Sequence, residues 1–154
     1  MSRELEIFVD GACSGNPGEA AIGVVVLENK NKIKEISKSI GPATNNIAEY
    51  TALIYALQEG LILKADQVTV YTDSELVFNQ VTGQYKIKNE NLKLLLDQVQ
   101  HLAQGFKRLD MKCIPREQNK DADQLATKAI NKKQAKMVAS LFQYSEEESP
   151  GSEG

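Results

Sequence analysis

No run of apolar residues in this chain approaches the roughly 18 that a membrane-crossing helix needs, so a soluble protein with no membrane partner is expected. The opening residues, MSRELEIFVDG, have no basic start, no long apolar stretch and no small-residue cleavage site, which points to the cytoplasm. Cysteine is scarce: Cys13 and Cys113 stand a hundred residues apart, with no further Cys or His at metal-ligand spacing. Structural zinc and a disulfide framework are thereby excluded. Internal repeats and linker-like stretches are also missing before the C-terminal tail, so 154 residues read as one domain with room for a real core.

A strongly basic balance is lacking too, since the net charge is −3 and the pI about 5.3. Four of the 21 acidic residues, however, are Glu146, Glu147, Glu148 and Glu153. The segment EEESPGSEG joins like charges to Ser, Pro and Gly and buries too little apolar area to offset its ordering entropy. The division expected is therefore a domain over 1–131, a helical or packed extension over 132–144 and a disordered acidic tail over 145–154. Met137, Val138, Leu141 and Phe142 suggest that the extension packs, or else meets a protein partner.

Leu5, Ile7 and Val9 alternate with Glu6 and Phe8 as a strand, and after the loop GACSGNPG a second strand runs from Ala21 to Leu27. Ile33, Ile36 and Ile40 among lysines read as an edge strand, which completes an antiparallel meander. Ile47, Tyr50, Ile54, Leu57 and Leu61 lie on one helical stripe. A short strand to Tyr71 follows, then a helix from Glu75 to about Thr82, another marked by Leu92 to Leu102, a strand over Leu109 to Ile114 and a helix marked by Ala122 to Ile130. Alternating strands and helices imply right-handed parallel crossovers, hence a mixed five-stranded α/β sheet. Cys13 lies after the first strand and Cys113 on the fifth, and both are expected as free thiols.

Asp10 interrupts an apolar strand, where an unpaired carboxylate is costly unless a cation or donors compensate, although Asp10-Gly11 also reads as a hairpin turn. Glu49 lies three residues after Asn46 and fits a capping box. Asp73 fits a helix cap, and Asp123 suits the positive first turn of a helix. Singly each carboxylate has an ordinary explanation. Together they belong to elements that pack side by side, and four converging carboxylates demand cations. Hard oxygen ligands favour Mg²⁺ or Mn²⁺, and a solvent-open cluster of this kind holds two such ions about 4 Å apart for phosphoryl-transfer chemistry.

The segments FVDGACSGNPG, TNNIAEYTAL, VYTDSELV and NKDADQLA, in that order, resemble the four motifs of ribonuclease H type 1 over nearly the whole chain to Ala129. The resemblance implies a three-layer ribonuclease H-like fold with sheet order 3-2-1-4-5. It implies cleavage of the RNA strand of an RNA/DNA hybrid, leaving 5′-phosphate and 3′-hydroxyl ends. Asp10, Glu49, Asp73 and Asp123 become catalytic and metal-binding for two Mg²⁺ ions, with Mn²⁺ as a substitute and Asp10 bridging both. Substrate contacts are expected at Gly11, Cys13, Asn16, Thr44, Asn45, Asn46, Ser74, Arg116 and Asn119, in a protein acting as a monomer. Small residues from Gly11 to Gly18 allow close main-chain approach to a minor groove, although Gly15-Asn16-Pro17-Gly18 by itself is an ordinary tight turn.

Two departures qualify the resemblance. Many members carry a histidine in the loop before the last motif, but here that loop is IPREQNKDAD and the single histidine, His101, lies in a helix. Gly83 to Asn91 is too short for the extra basic segment of some members, offering only Lys86 and Lys88, so weaker hybrid affinity is expected. A hybrid-binding module with little or no catalysis is the alternative; an integrase-like strand transferase is a more distant one, against which the GNPG loop and TNN motif speak. Arg116, Lys120, Lys128, Lys132, Lys133 and Lys136 read equally well as a solvated helix face and as an attractor of phosphate.

Overall fold

A computed structural model describes residues 2–148. Its elements are β1 (Glu4–Cys13), β2 (Gly18–Glu28), β3 (Asn31–Ala43), α1 (Asn45–Ile62), β4 (Gln67–Thr72), α2 (Glu75–Val81), α3 (Glu90–Ala103), β5 (Arg108–Cys113) and α4 (Lys120–Glu148). They form one sheet of order β3-β2-β1-β4-β5, with β1, β2 and β3 antiparallel and β1, β4 and β5 parallel, as expected.

Alternation along the strands sorts residues between two faces. Leu5, Ile7 and Val9 of β1 and Ile22, Val24 and Val26 of β2 meet Tyr50, Leu53 and Leu57 of α1 in the main core, which α3 closes with Leu92 and Val99. The other face of β2 presents Ala21 to Ala129 and Ile130 of α4. Gly23 stands in the middle of that face, and a Cβ there would run into the backbone of α4 at Ala122. A lone glycine in the run AAIGVVV thus marks a place where two backbones nearly touch.

Several local expectations need correction. Asp10 and Gly11 are not a turn, because β1 continues to Cys13 and leaves only Ser14 to Pro17 as the connecting loop. The cap of α1 is Thr44, whose hydroxyl accepts from the Ile47 N–H, so Asn46 heads no capping box with Glu49. Ser74, not Asp73, caps α2 by accepting from Val77 N–H. Both corrections release a carboxylate from a capping role.

α4 is 29 residues long, about 43 Å of helix. It includes residues 145–148, which were expected to be disordered; residues 149–154 of that tail lie outside the described ones. Helix, rather than packing, describes the extension: Met137, Val138, Leu141 and Phe142 are all exposed, Leu141 by 68%. Ending the chain after Lys133 therefore changes the melting temperature by less than about 2 °C in a thermal scan, the modest effect usual for exposed positions. A larger drop would mean that the extension docks. Among the described residues no helix is long and apolar enough to cross a membrane.

Candidate metal centre

The parallel pairing of β1 and β4 ends at Phe8 with Tyr71, and two residues further on each chain stand Asp10 and Asp73. Thr72 Oγ1 accepts from the Ser74 N–H and shapes the turn that holds Asp73. Glu49 comes from the second turn of α1. That helix lies so close to β1 that a Cβ on Gly11 would collide with the Ala48–Glu49 backbone, and the Gly11 N–H donates to Glu49 Oε1 at 2.9 Å. Oxygens of Asp10, Glu49 and Asp73 all lie within 4.8 Å of one another. Asp123, in the first turn of α4, joins them around a cleft of about 450 Å³.

This grouping is electrostatically strained without a cation. Burial first, then the neighbouring Glu49 and Asp73 carboxylates, push Asp10 up to about 10. Burial also pushes Glu49 up to about 7, against the opposing pull of the neighbouring Asp10 and of the Gly11 N–H that donates to it. Glu49 Oε2 is buried and has no hydrogen-bond partner among the described residues. Among the described residues the one cation lining the cleft is Arg116, 3.8 Å from Asp123 and 80% exposed. Four carboxylates against one solvated guanidinium leave the cleft negative, and the unpartnered oxygen fits a proton or a metal ion. An all-oxygen donor set suits a hard divalent ion.

The other expected contacts separate into three groups. Gly11, Cys13, Asn45 and Arg116 line the cleft with the carboxylates. Cys13 Sγ donates to Asn45 Oδ1 at 2.8 Å, and Asn16 Oδ1 accepts from the Asn45 N–H at 3.0 Å, so the β1–β2 loop is tied to the start of α1. Both cysteines are unpaired. Thr44 and Ser74 spend their hydroxyls on helix caps, and Asn46 is half-buried beside them. Asn119 differs from expectation. It is 1% exposed, and its amide donates to Val9 O at 2.8 Å and to Asp73 Oδ2 at 3.1 Å. The residue expected to touch substrate instead fastens Asp73 to β1.

Gly23 was missed altogether as a site determinant, although it decides how closely α4, and hence Asp123, approaches the cleft. Its signal was present in the sequence as the only glycine inside a β-branched run.

The sequence profile of the family described as reverse transcriptase-like matches residues 8–129. A bifunctional protein of Mycobacterium tuberculosis is 39% identical over 130 residues, covering 83% of this chain and 36% of its own length. Ribonuclease HI of Halobacterium salinarum is 38% identical over 128 residues, covering 82% of this chain and 64% of its own length. This chain thus spans between a third and two thirds of those relatives. Among solved structures, RNase H1 of Halobacterium salinarum superimposes with a TM-score of 0.82 at 35% identity, over 84% of this chain and 98% of that one. LC11-RNase H1, solved in complex with an RNA/DNA hybrid, gives 0.79 at 41% identity, over 83% and 97%.

Proposed function

Because this chain belongs to the reverse transcriptase-like family, with the ribonuclease H fold, we propose that it hydrolyses the RNA strand of RNA/DNA hybrids as a divalent-metal endonuclease. The products are 5′-phosphate and 3′-hydroxyl ends. The observation that carries this reading is the convergence of Asp10, Glu49 and Asp73, with an unpartnered buried oxygen on Glu49 and Asp123 on the same cleft. These four residues would hold two Mg²⁺ ions, with Mn²⁺ as a substitute. Ions in such a site activate water and stabilise the leaving oxygen.

The chain's own residues prepare the cleft. Asn119 fixes the direction of Asp73, and the Gly11 N–H fixes Glu49. Glu49 and the β1 main chain would meet the ribose 2′-hydroxyl, the group by which RNA differs from DNA. Exposed Asn45, oriented through Cys13 and Asn16, offers its side chain to the opposite strand. A single chain supplies every carboxylate, which favours a monomer, and two free thiols accord with the cytoplasm.

With end-labelled RNA annealed to DNA, the protein in Mg²⁺ or Mn²⁺ shortens the RNA and leaves the DNA intact, and chelation or Asp73→Asn stops the reaction. An uncut hybrid with both metals, or equal cutting by Asp73→Asn, disproves the reading. Binding of hybrid without turnover would instead favour a binding module. The feature on its side is Arg116 in the loop before α4, which stays protonated and serves as no general base.

A further inference from the structure

The six basic residues from Arg116 to Lys136 do not form one face. Arg116 leans toward Asp123, and Lys120 lies on the side of Phe8 and Leu27. Lys128, Lys132, Lys133 and Lys136 instead line a groove of about 400 Å³ between α4 and the edge strand β3, opposite Ser37 and Ser39. We infer that this groove is a second nucleic-acid contact, which holds phosphodiesters of a hybrid flank leaving the carboxylate cleft. The inference rests on the proposed hybrid substrate and extends it to a longer footprint.

Charge is the first reason. No carboxylate lines the groove, and none of the four lysines forms an ion pair among the described residues. From residue 124 to residue 145 the chain contains these four lysines and no acidic residue. A solvated helix face normally mixes signs, with partners three or four residues apart. Four unpaired positive charges on successive turns, in a chain of net charge −3, are a local polyanion site. Lys38, also at the groove, does not add to it, since its ammonium lies 5.2 Å from the centre of the Tyr55 ring on α1.

Position is the second reason. Asp10 pairs with Gly23 across β1 and β2, and Gly23 pairs with Ser37 across β2 and β3. Two strand spacings, about 10 Å, separate the groove from the cleft along that line. Ser37 Oγ donates to Leu125 O at 2.6 Å and anchors α4 to the edge strand there. Helical rise then carries the chain from Asp123 about 8 Å to Lys128 and about 20 Å to Lys136. One strand of a duplex advances about 3.4 Å per nucleotide, so the lysines match phosphates roughly two to six nucleotides from the cut. Lysine ammonium groups bind phosphate as point charges and read no sequence, so the groove adds length-dependent and salt-dependent affinity.

The test is fluorescence anisotropy of the full chain in chelator, with hybrids of about 8 and about 24 base pairs, over a salt series. The variant carries Lys132→Glu, Lys133→Glu and Lys136→Glu; a second carries Gln at the same three positions. For the long hybrid, charge reversal weakens binding about tenfold or more and lowers the slope of log Kd against log salt by about 2 to 3. The short hybrid, which extends only about four nucleotides from a central cut and so reaches fewer of these lysines, is weakened less than the long one, and the Gln variant moves the same way by a smaller amount. Unchanged long-hybrid affinity and slope, equal weakening at both lengths, or a wild-type chain that fails to bind the long hybrid would each overturn the inference. Cleavage is scored separately in Mg²⁺. A wild-type chain that shows this length-dependent binding but cuts nothing retains the groove and loses the enzymatic reading.

Discussion

Asp10→Asn abolishes hybrid cleavage and at the same time raises the melting temperature of the metal-free protein. Loss of activity, on the order of a hundredfold or more, follows from removing the carboxylate that interacts with Glu49, Asp73 and Asp123, given that even changes to groups that only support a metal's ligands cost that much. The gain in stability follows from proton linkage. In the folded, metal-free chain Asp10 keeps its proton up to about 10, whereas its ordinary value is 3.8. Glu49 shifts in the same direction, from 4.5 to about 7. Across those windows these two groups bind more protons in the folded chain than in the unfolded one, so their contribution to stability is fully present below about pH 4 and declines as pH rises. Asparagine is neutral at every pH and has the shape of the protonated acid. At pH 7 the exchange is worth about 2 kcal/mol in order of magnitude, a rise of about 4 to 8 °C. Thermal scans in chelator between about pH 5 and about pH 8 should show a melting temperature that falls with pH, less steeply for the variant. Mg²⁺ should raise the wild-type curve and leave the variant nearly unmoved. A variant that melts below wild type in chelator at the alkaline end contradicts the burial of charge on which this rests.

Gly23→Ala is expected to damage stability and activity together. The added methyl meets main-chain atoms of α4 at Ala122 and Ala126, not the movable end of a side chain. Relief therefore requires the helix to retreat, at about 3 kcal/mol, which corresponds to a melting temperature lower by about 6 to 12 °C. Asp123 follows Ala122 directly, so the same retreat draws its carboxylate from the cleft. A displacement of about 1 Å in a catalytic arrangement costs about a hundredfold in rate. Gly83→Ala is the informative comparison. Gly83 has φ +84° but open space where its Cβ would stand, so the substitution meets backbone strain alone. Its cost should be about 1 kcal/mol, with activity retained. Differential scanning calorimetry and steady-state cleavage of both variants separate the two effects; equal losses would show that contact with α4 is not what glycine at 23 secures.

Asp10 was readable because a carboxylate inside IFVDGA conflicts with the strand around it, and such conflicts concentrate at functional sites. Glu49 and Asp73 were harder. Each lies beside a credible cap, and only the structure shows that Thr44 and Ser74 do the capping, which leaves the carboxylates for the cleft. Asn119 could be placed in its motif, but its role could not. Burial and a bond to Asp73 are relations between residues 46 apart in sequence. Lys128, Lys132, Lys133 and Lys136 of α4 were visible within a charge run whose meaning was open until β3 was seen to form the other wall of their groove.

What the amino-acid order determined by itself is the set of elements and the division into an antiparallel first half and a parallel second half, because strand alternation, helical stripes and glycine turns act over a few residues and crossover handedness restricts the rest; the strand order followed only from the resemblance of the four motifs. The amino-acid order also determined which side chains conflict with their local setting. Tertiary structure alone decided how near those side chains come. The close approach of α1 at Gly11 and of α4 at Gly23, the burial that raises Asp10 and Glu49, and the division of six basic residues between cleft and groove all depend on packing between segments far apart in the chain. Distances of that kind arise from the sum of many contacts, and no local pattern encodes them.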